Sequence, residues 1–311
     1  LTAERRDRQR TSPFADLRRE EVGVLLADDR VSLFFDGALN DPQLDHPEGV
    51  AVHPDGSVWC GGEKGQIFRL DADGTSIELV ASTDGFCLGM AFDRTGDHLV
   101  VCDQKHAAVF RLEVATGTLA RFSGGASDRP FRIPNFPAFD ADGRLYVSDS
   151  HTFPATPGPG VFRIEPDGRG ELWYGLDVTF ANGLAVAPDG SSLYVAETFA
   201  SSVFRIPIRE DGSAGDREEV AHVPGSLPDG LAFDVEGNLY VGCYEPSHVL
   251  RVAPSGDVDV LWHDVTAHTL AHPTNIAFRG STMFTANLGR WHLTRLEVGI
   301  EGVPLPVGRS G

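Results

Sequence analysis

Along most of the chain, short runs of alternating apolar and polar residues end in turn signals rich in Gly, Asp and Pro, the period-two pattern of strands. The runs are copies of one another. An apolar opening strand recurs as EGVAV (48–52), LGMAF (88–92), NFPAF (135–139), NGLAV (182–186), DGLAF (229–233) and TNIAF (274–278), at intervals of 40, 47, 47, 47 and 45 residues. After each comes a tight-turn signal and a second strand, as in HPDGSVWC, DADGRLYVSD and DVEGNLYVGC, where Asp-Gly and its relatives supply the positive φ of short hairpins. Self-similarity at this period predicts a propeller or a solenoid.

A third strand repeats still more closely, as IFRL, VFRL, VFRI, VFRI, VLRV and LTRL, and sets Arg69, Arg111, Arg163, Arg205, Arg251 and Arg295 in register. These arginines are read as structural, because such a strand has one core face and one that is not. Fourth strands follow in five copies, and the sixth lacks one. VSLFFDG (31–37) has the pattern of a fourth strand and precedes the first copy. An N-terminal strand is therefore expected to complete the last blade and remove an exposed sheet edge. The predicted fold is all-β, a six-bladed β-propeller of four-stranded blades over 31–298, with a leader (1–30) and a C-terminal tail (299–311). Within the leader, PFADLRREEVGVLLADD has the spacing of a short amphipathic helix.

Composition agrees: 311 residues with 35 Gly, 20 Pro and only 2 Met favour strands and turns over long helices. The net charge of −19, from 45 acidic and 26 basic side chains, repels polyanions, so neither nucleic acid nor an anionic membrane is expected as a partner. No run approaches the roughly 18 apolar residues needed to span a bilayer. Cys60, Cys87, Cys102 and Cys243 follow neither metal-binding spacing nor a disulfide scaffold, and the segment from Leu1 has no apolar stretch behind its charges. A cytoplasmic setting is expected, with the oligomeric state open.

In a propeller the first strand of each blade lines the central channel. The residue opening each copy then points near the axis at one end: Glu48, Leu88, Asn135, Asn182, Asp229 and Thr274. Two carboxylates and two carboxamides converge, all oxygen donors of the kind a hard cation such as Ca²⁺ prefers. Asn and Asp before Gly also serve turns, so each residue alone has a plainer reading. Neither Glu48 nor Asn135-Phe136 fits that turn requirement. Leu88 and Thr274, the other two positions, suggest a ring polar on one side only, with Leu88 leaving room for the apolar body of a substrate.

HPEGVAV, RIPNFPAF, ANGLAVAPDGSSLYVAET and LPDGLAFDVEGNLYV make the chain resemble the regucalcin/gluconolactonase (SMP-30/gluconolactonase/LRE-like) family over residues 31–298. The resemblance implies a six-bladed propeller with one catalytic metal in the channel, usually Ca²⁺, with Zn²⁺, Mn²⁺ or Mg²⁺ as alternatives. It implies Glu48, Asn182 and Asp229 as ligands, Asn135 binding directly or through water, and Asp229 as the acid/base residue. Family members often carry Asn-Asp where this chain has Asn135-Phe136, a departure that argues against a sugar lactone.

The function expected is metal-dependent opening of a lactone or related small ester, with Asp229 as general base or nucleophile. The loops at the same end bring His151, Phe180, Phe199, Tyr244 and Trp291 beside Phe136, an aromatic set suited to an apolar small-molecule substrate. The third-blade loop, DSHTFPATPGPG (149–160), is longer than its counterparts and has Asp149 and His151 either to place it or to hold a second ion. His272, two residues before Thr274, either donates to a substrate oxygen and moves a proton or is a satisfied turn histidine. Two other readings stand beside the hydrolase: a non-catalytic propeller that binds a protein partner, and a metal-dependent isomerase, lyase or phosphotriesterase on the same fold.

Overall fold

The computed structural model describes residues 23–175 and 178–305. Six four-stranded antiparallel sheets form the blades of a propeller. Their innermost strands, Val50–Val52, Cys87–Phe92, Pro134–Phe139, Ala181–Val186, Pro228–Phe233 and Pro273–Arg279, lie side by side, and the sixth returns to the first. The ring closes as the repeat pattern requires. Val31–Asp36 joins the last blade as its outer strand, with Val31 opposite Leu296 and Asp36 opposite His292.

Second strands such as Leu239–Cys243 are buried on both faces, because each blade is covered by a neighbour on either side. Between blades 3 and 4, Tyr146, Trp173, Leu184 and Phe204 interdigitate in one of several such clusters. Fourth strands such as Ile77–Ser82 are partly exposed. The repeated arginines work there: Arg163, Arg205 and Arg251 pair with Glu171, Glu218 and Asp259 on the adjacent fourth strand, and Arg111 lies over Phe122.

One irregularity positions the site. In blades 2 to 6 the pairing of the innermost strand slips by one residue near its start, as between Pro134 and Pro137, Ala181 and Leu184, or Pro228 and Leu231. Two residues then face one on the partner strand, a bulge that takes side chains out of the ladder and re-aims them. Asn135, Asn182, Asp229 and Thr274 all sit in these bulges.

Residues 13–22 of the expected leader helix lie outside the described residues. Residues 24–29 are not helical: Val24 bridges Val260 on the outer strand of blade 5, and only a 3-10 turn, Asp28–Arg30, precedes the closing strand. Pairing with that sheet satisfies the backbone of Leu25 and Leu26, whose amides donate to Val260 and Leu261. Gly302 of the tail bridges Asp234, and residues 306–311 lie outside the description. All four cysteines are buried free thiols. Among the described residues no helix is long and apolar enough to cross a membrane.

Candidate metal centre and channel mouth

At the bulges of blades 3 and 4, two asparagines are held in the same way. Asn135 donates from Nδ2 to Ser150 Oγ at 3.0 Å, and Ser150 donates to the Ala181 carbonyl at 2.7 Å. Asn182 donates from Nδ2 to Thr198 Oγ1 at 3.1 Å and to Asp229 Oδ2 at 3.0 Å, while Thr198 donates to the Pro228 carbonyl at 2.8 Å. From blade 6, Asn275 donates to the other oxygen of Asp229, Oδ1, at 3.3 Å. Their amide nitrogens are thus engaged. Among the described residues, Oδ1 of Asn135, Asn182 and Asn275 is buried with no hydrogen-bond partner in all three.

Unsatisfied buried acceptors are costly and call for a missing donor or cation. Two carboxylates share the same interior, Glu48 and Asp229. Burial, then the Asp229 charge and that of Glu63, holds the Glu48 carboxyl well above its usual range. Burial pushes Asp229 up to about 7, against the lowering pull of the Asn182 and Asn275 amides. Three orphaned amide oxygens and two crowded carboxylates form a hard, all-oxygen donor set that fits a cation such as Ca²⁺. Backbone links brace it: the Glu48 carbonyl accepts from Thr274 Oγ1 at 2.8 Å and from the Asn275 amide at 3.3 Å.

The residues expected around the mouth divide. Phe180 and Phe199 meet edge-to-face at 5.0 Å, and Phe153 of the long loop stands 6.3 Å from each. Phe153 is 72% exposed and Phe199 44%, so this aromatic face opens to solvent. Pro157–Gly158 of the long loop pairs with Val178–Thr179, which ties the loop to the approach of blade 4. Tyr244 stacks on His272 at 4.7 Å, and its phenol is pushed up by burial and by Glu245, Glu48, Asp229 and Glu63, so it feels both channel carboxylates. Trp291 packs on His46 at 4.6 Å.

Other expected contacts are committed to the fold. Phe136 is buried in the cluster of Tyr146 and Trp173, Leu88 lies in that of Val100 and Phe131, and Thr274 is buried with its hydroxyl donated to Glu48. Asp149 accepts from the amides of Arg132, Ile133 and His151, which assigns it to holding the loop. His151 follows in a positive-φ conformation, its ring against Gly158. His272 donates from Nδ1 to the Tyr244 carbonyl at 3.0 Å, with Glu245 at 3.1 Å, leaving Nε2 as the nitrogen able to take a proton.

A model of the SMP-30/Gluconolactonase/LRE-like region matches residues 47–286, all but the edges of this ring. The chain belongs to this family. A 6-deoxy-6-sulfogluconolactonase of Pseudomonas putida is 34% identical over 131 residues, 41% of this chain and 43% of that enzyme. The chain spans less than half the length of the curated relatives it matches. Among solved structures, a gluconolactonase from Xanthomonas campestris superposes with a TM-score of 0.70 at 22% identity, over 88% of this chain and 89% of that one. Regucalcin from Agrobacterium tumefaciens, described as a calcium-binding protein, superposes at 0.67 with 19% identity, over 86% and 92%. These two likenesses concern the fold.

For a member of this family, two residues escaped the sequence reading. Asn275 stands where the opening strands of four other blades carry glycine, and that polar exception was its signal. Those glycines lie where one blade presses on the next: a Cβ on Gly230 would come within 2.6 Å of Asn275 Cα. Phe153 had no register to mark it. Among the described residues, Asp45, His46 and Glu63 also lie close enough to share a cation, but Lys64 already pairs with Asp45 at 3.0 Å.

Proposed function

We propose that this protein hydrolyses a lactone or related small ester with a divalent cation, Ca²⁺ first among candidates, held by Glu48, Asn182 and Asp229 and approached by Asn135 and Asn275. The observation that carries this reading is the set of three buried amide oxygens, without partners among the described residues, beside two buried carboxylates. When bound, such a cation supplies Lewis acidity toward an ester carbonyl.

Asp229 is the proton acceptor in this reading. Each of its oxygens accepts one amide hydrogen bond, so a lone pair remains on each; burial raises its proton affinity and a bound cation would lower it. It takes the proton of the water that attacks the carbonyl, and returns it to the departing alkoxide. His272, stacked on Tyr244 with its Nδ1 committed to the Tyr244 carbonyl, serves through Nε2 as a second proton carrier. Phe153, Phe180 and Phe199 receive the apolar part of the substrate.

The test is hydrolysis of aliphatic and aromatic lactones by chelator-stripped, reconstituted and Asp229→Asn protein. Turnover restored by cation and absent in a folded Asp229→Asn variant supports the reading. Turnover unaffected by both treatments overturns it.

A further inference from the structure

We propose that Ser150 and Thr198 are positioning residues that aim the carboxamides of Asn135 and Asn182, and through them set the affinity of the channel for its cation. The proposal rests on the metal reading above. A hydroxyl has one proton, and the Ala181 and Pro228 carbonyls can only accept. The protons of Ser150 and Thr198 therefore go to those carbonyls, at 2.7 and 2.8 Å, and each hydroxyl oxygen presents a lone pair to its asparagine. Only the NH₂ end of the amide can face a lone pair. Flipping either amide would set oxygen against oxygen, so Oδ1 is turned away from the hydroxyl.

Among the five bulged blades, the device appears only where the bulge opens with an asparagine. By strand register, the corresponding positions in blades 2, 5 and 6 are Gln104, Tyr244 and Leu288, and the bulges there open with Leu88, Asp229 and Thr274. Both hydroxyl residues are buried, so they act through the asparagines and not on substrate. The two are unequal. Asn182 is oriented twice, by Thr198 and by Asp229, whereas among the described residues the side chain of Asn135 has Ser150 as its one hydrogen-bond partner. Ser150 therefore carries the larger share. Each also ties its blade to the next, so the amide oxygens keep their spacing across blade boundaries.

The experiment is calorimetric titration of Ca²⁺ into chelator-stripped wild-type protein, Ser150→Ala, Ser150→Thr, Thr198→Val, Thr198→Ser, Asn135→Ala and Ser150→Ala/Asn135→Ala, with cation-free melting temperatures in parallel. Ser150→Ala is expected to weaken binding about 10- to 100-fold, Thr198→Val less, with Ser150→Thr and Thr198→Ser within about threefold of wild type. Once Asn135 is gone, Ser150→Ala should cost little more, as expected of a residue acting through another. Wild-type binding matched by Ser150→Ala, or conservative variants as weak as the truncated ones, overturns the positioning role. If Ser150→Ala does not fold, the comparison of Thr198→Val with Thr198→Ser decides the same point. Failure of the wild type to bind Ca²⁺, Mn²⁺ or Zn²⁺ at all removes the metal reading itself, a separate result.

Discussion

Asn275 in blade 6 reaches across the blade boundary to Asp229 in blade 5, its amide nitrogen 3.3 Å from Oδ1, while its own Oδ1 has no partner among the described residues. One side chain thus lowers the proton affinity of the proposed base and offers a further oxygen to the proposed cation. Asn275→Ala should therefore weaken cation binding and move the acidic limb of the kcat/KM profile to higher pH, because Asp229 then holds its proton more tightly. An unmoved limb with unchanged affinity would falsify this role.

Stability should report the two buried carboxyls. Both are raised in the folded chain, so the folded state binds more protons than the unfolded one above the ordinary carboxylate range of about 4. Cation-free protein is thus expected to lose stability through these groups as pH rises from about 4 toward 7, and bound cation should reverse the loss by favouring the ionised forms. His248, held down to about 3 by burial and by His263, acts oppositely. The check is the melting-temperature difference between loaded and stripped protein, which should widen with pH over that window.

Phe153 has most of its ring in solvent beside two other phenylalanines, an arrangement that gains by covering an apolar ligand. Phe153→Ser should lower kcat/KM for aryl- or alkyl-substituted lactones by about 10-fold or more while leaving small polar lactones nearly unchanged. Equal losses across the panel would assign Phe153 to the loop's structure instead.

Asp149 collects three backbone amides at the mouth of blade 3. Asp149→Ala strands them where water reaches poorly, and the expected loss is about 2–5 kcal/mol in chemical denaturation. Asp149→Asn, which keeps one acceptor oxygen, should lose less. Asp103 and Asn287 stand at the corresponding end of their blades and also accept backbone amides, from Phe86 and Ala271. The same ordering is expected for Asp103, and Asn287→Ala should destabilise by stranding the Ala271 amide.

The repeats made the ring legible from sequence because a propeller blade is a local unit. Its turns, its alternation and its missing sixth fourth strand are all written in nearby residues, and VSLFFDG had only one place to go. The common offset of Glu48, Asn135, Asn182 and Asp229 likewise came from the repeat. What the offset could not supply is direction. In blades 2 to 6 the bulge at the strand start carries two residues, and only contact with the next blade decides which of them is pressed against a neighbour. That contact buries Phe136 in the core and brings Asn275 to Asp229. The aim of each amide is set by a hydroxyl fifteen or sixteen residues away and by a carbonyl on the following blade. Sequence determined the ring and the oxygen donors that the proposed cation would use. The orientation of those oxygens was decided by hydrogen bonds between blades, which exist only once the circle has closed.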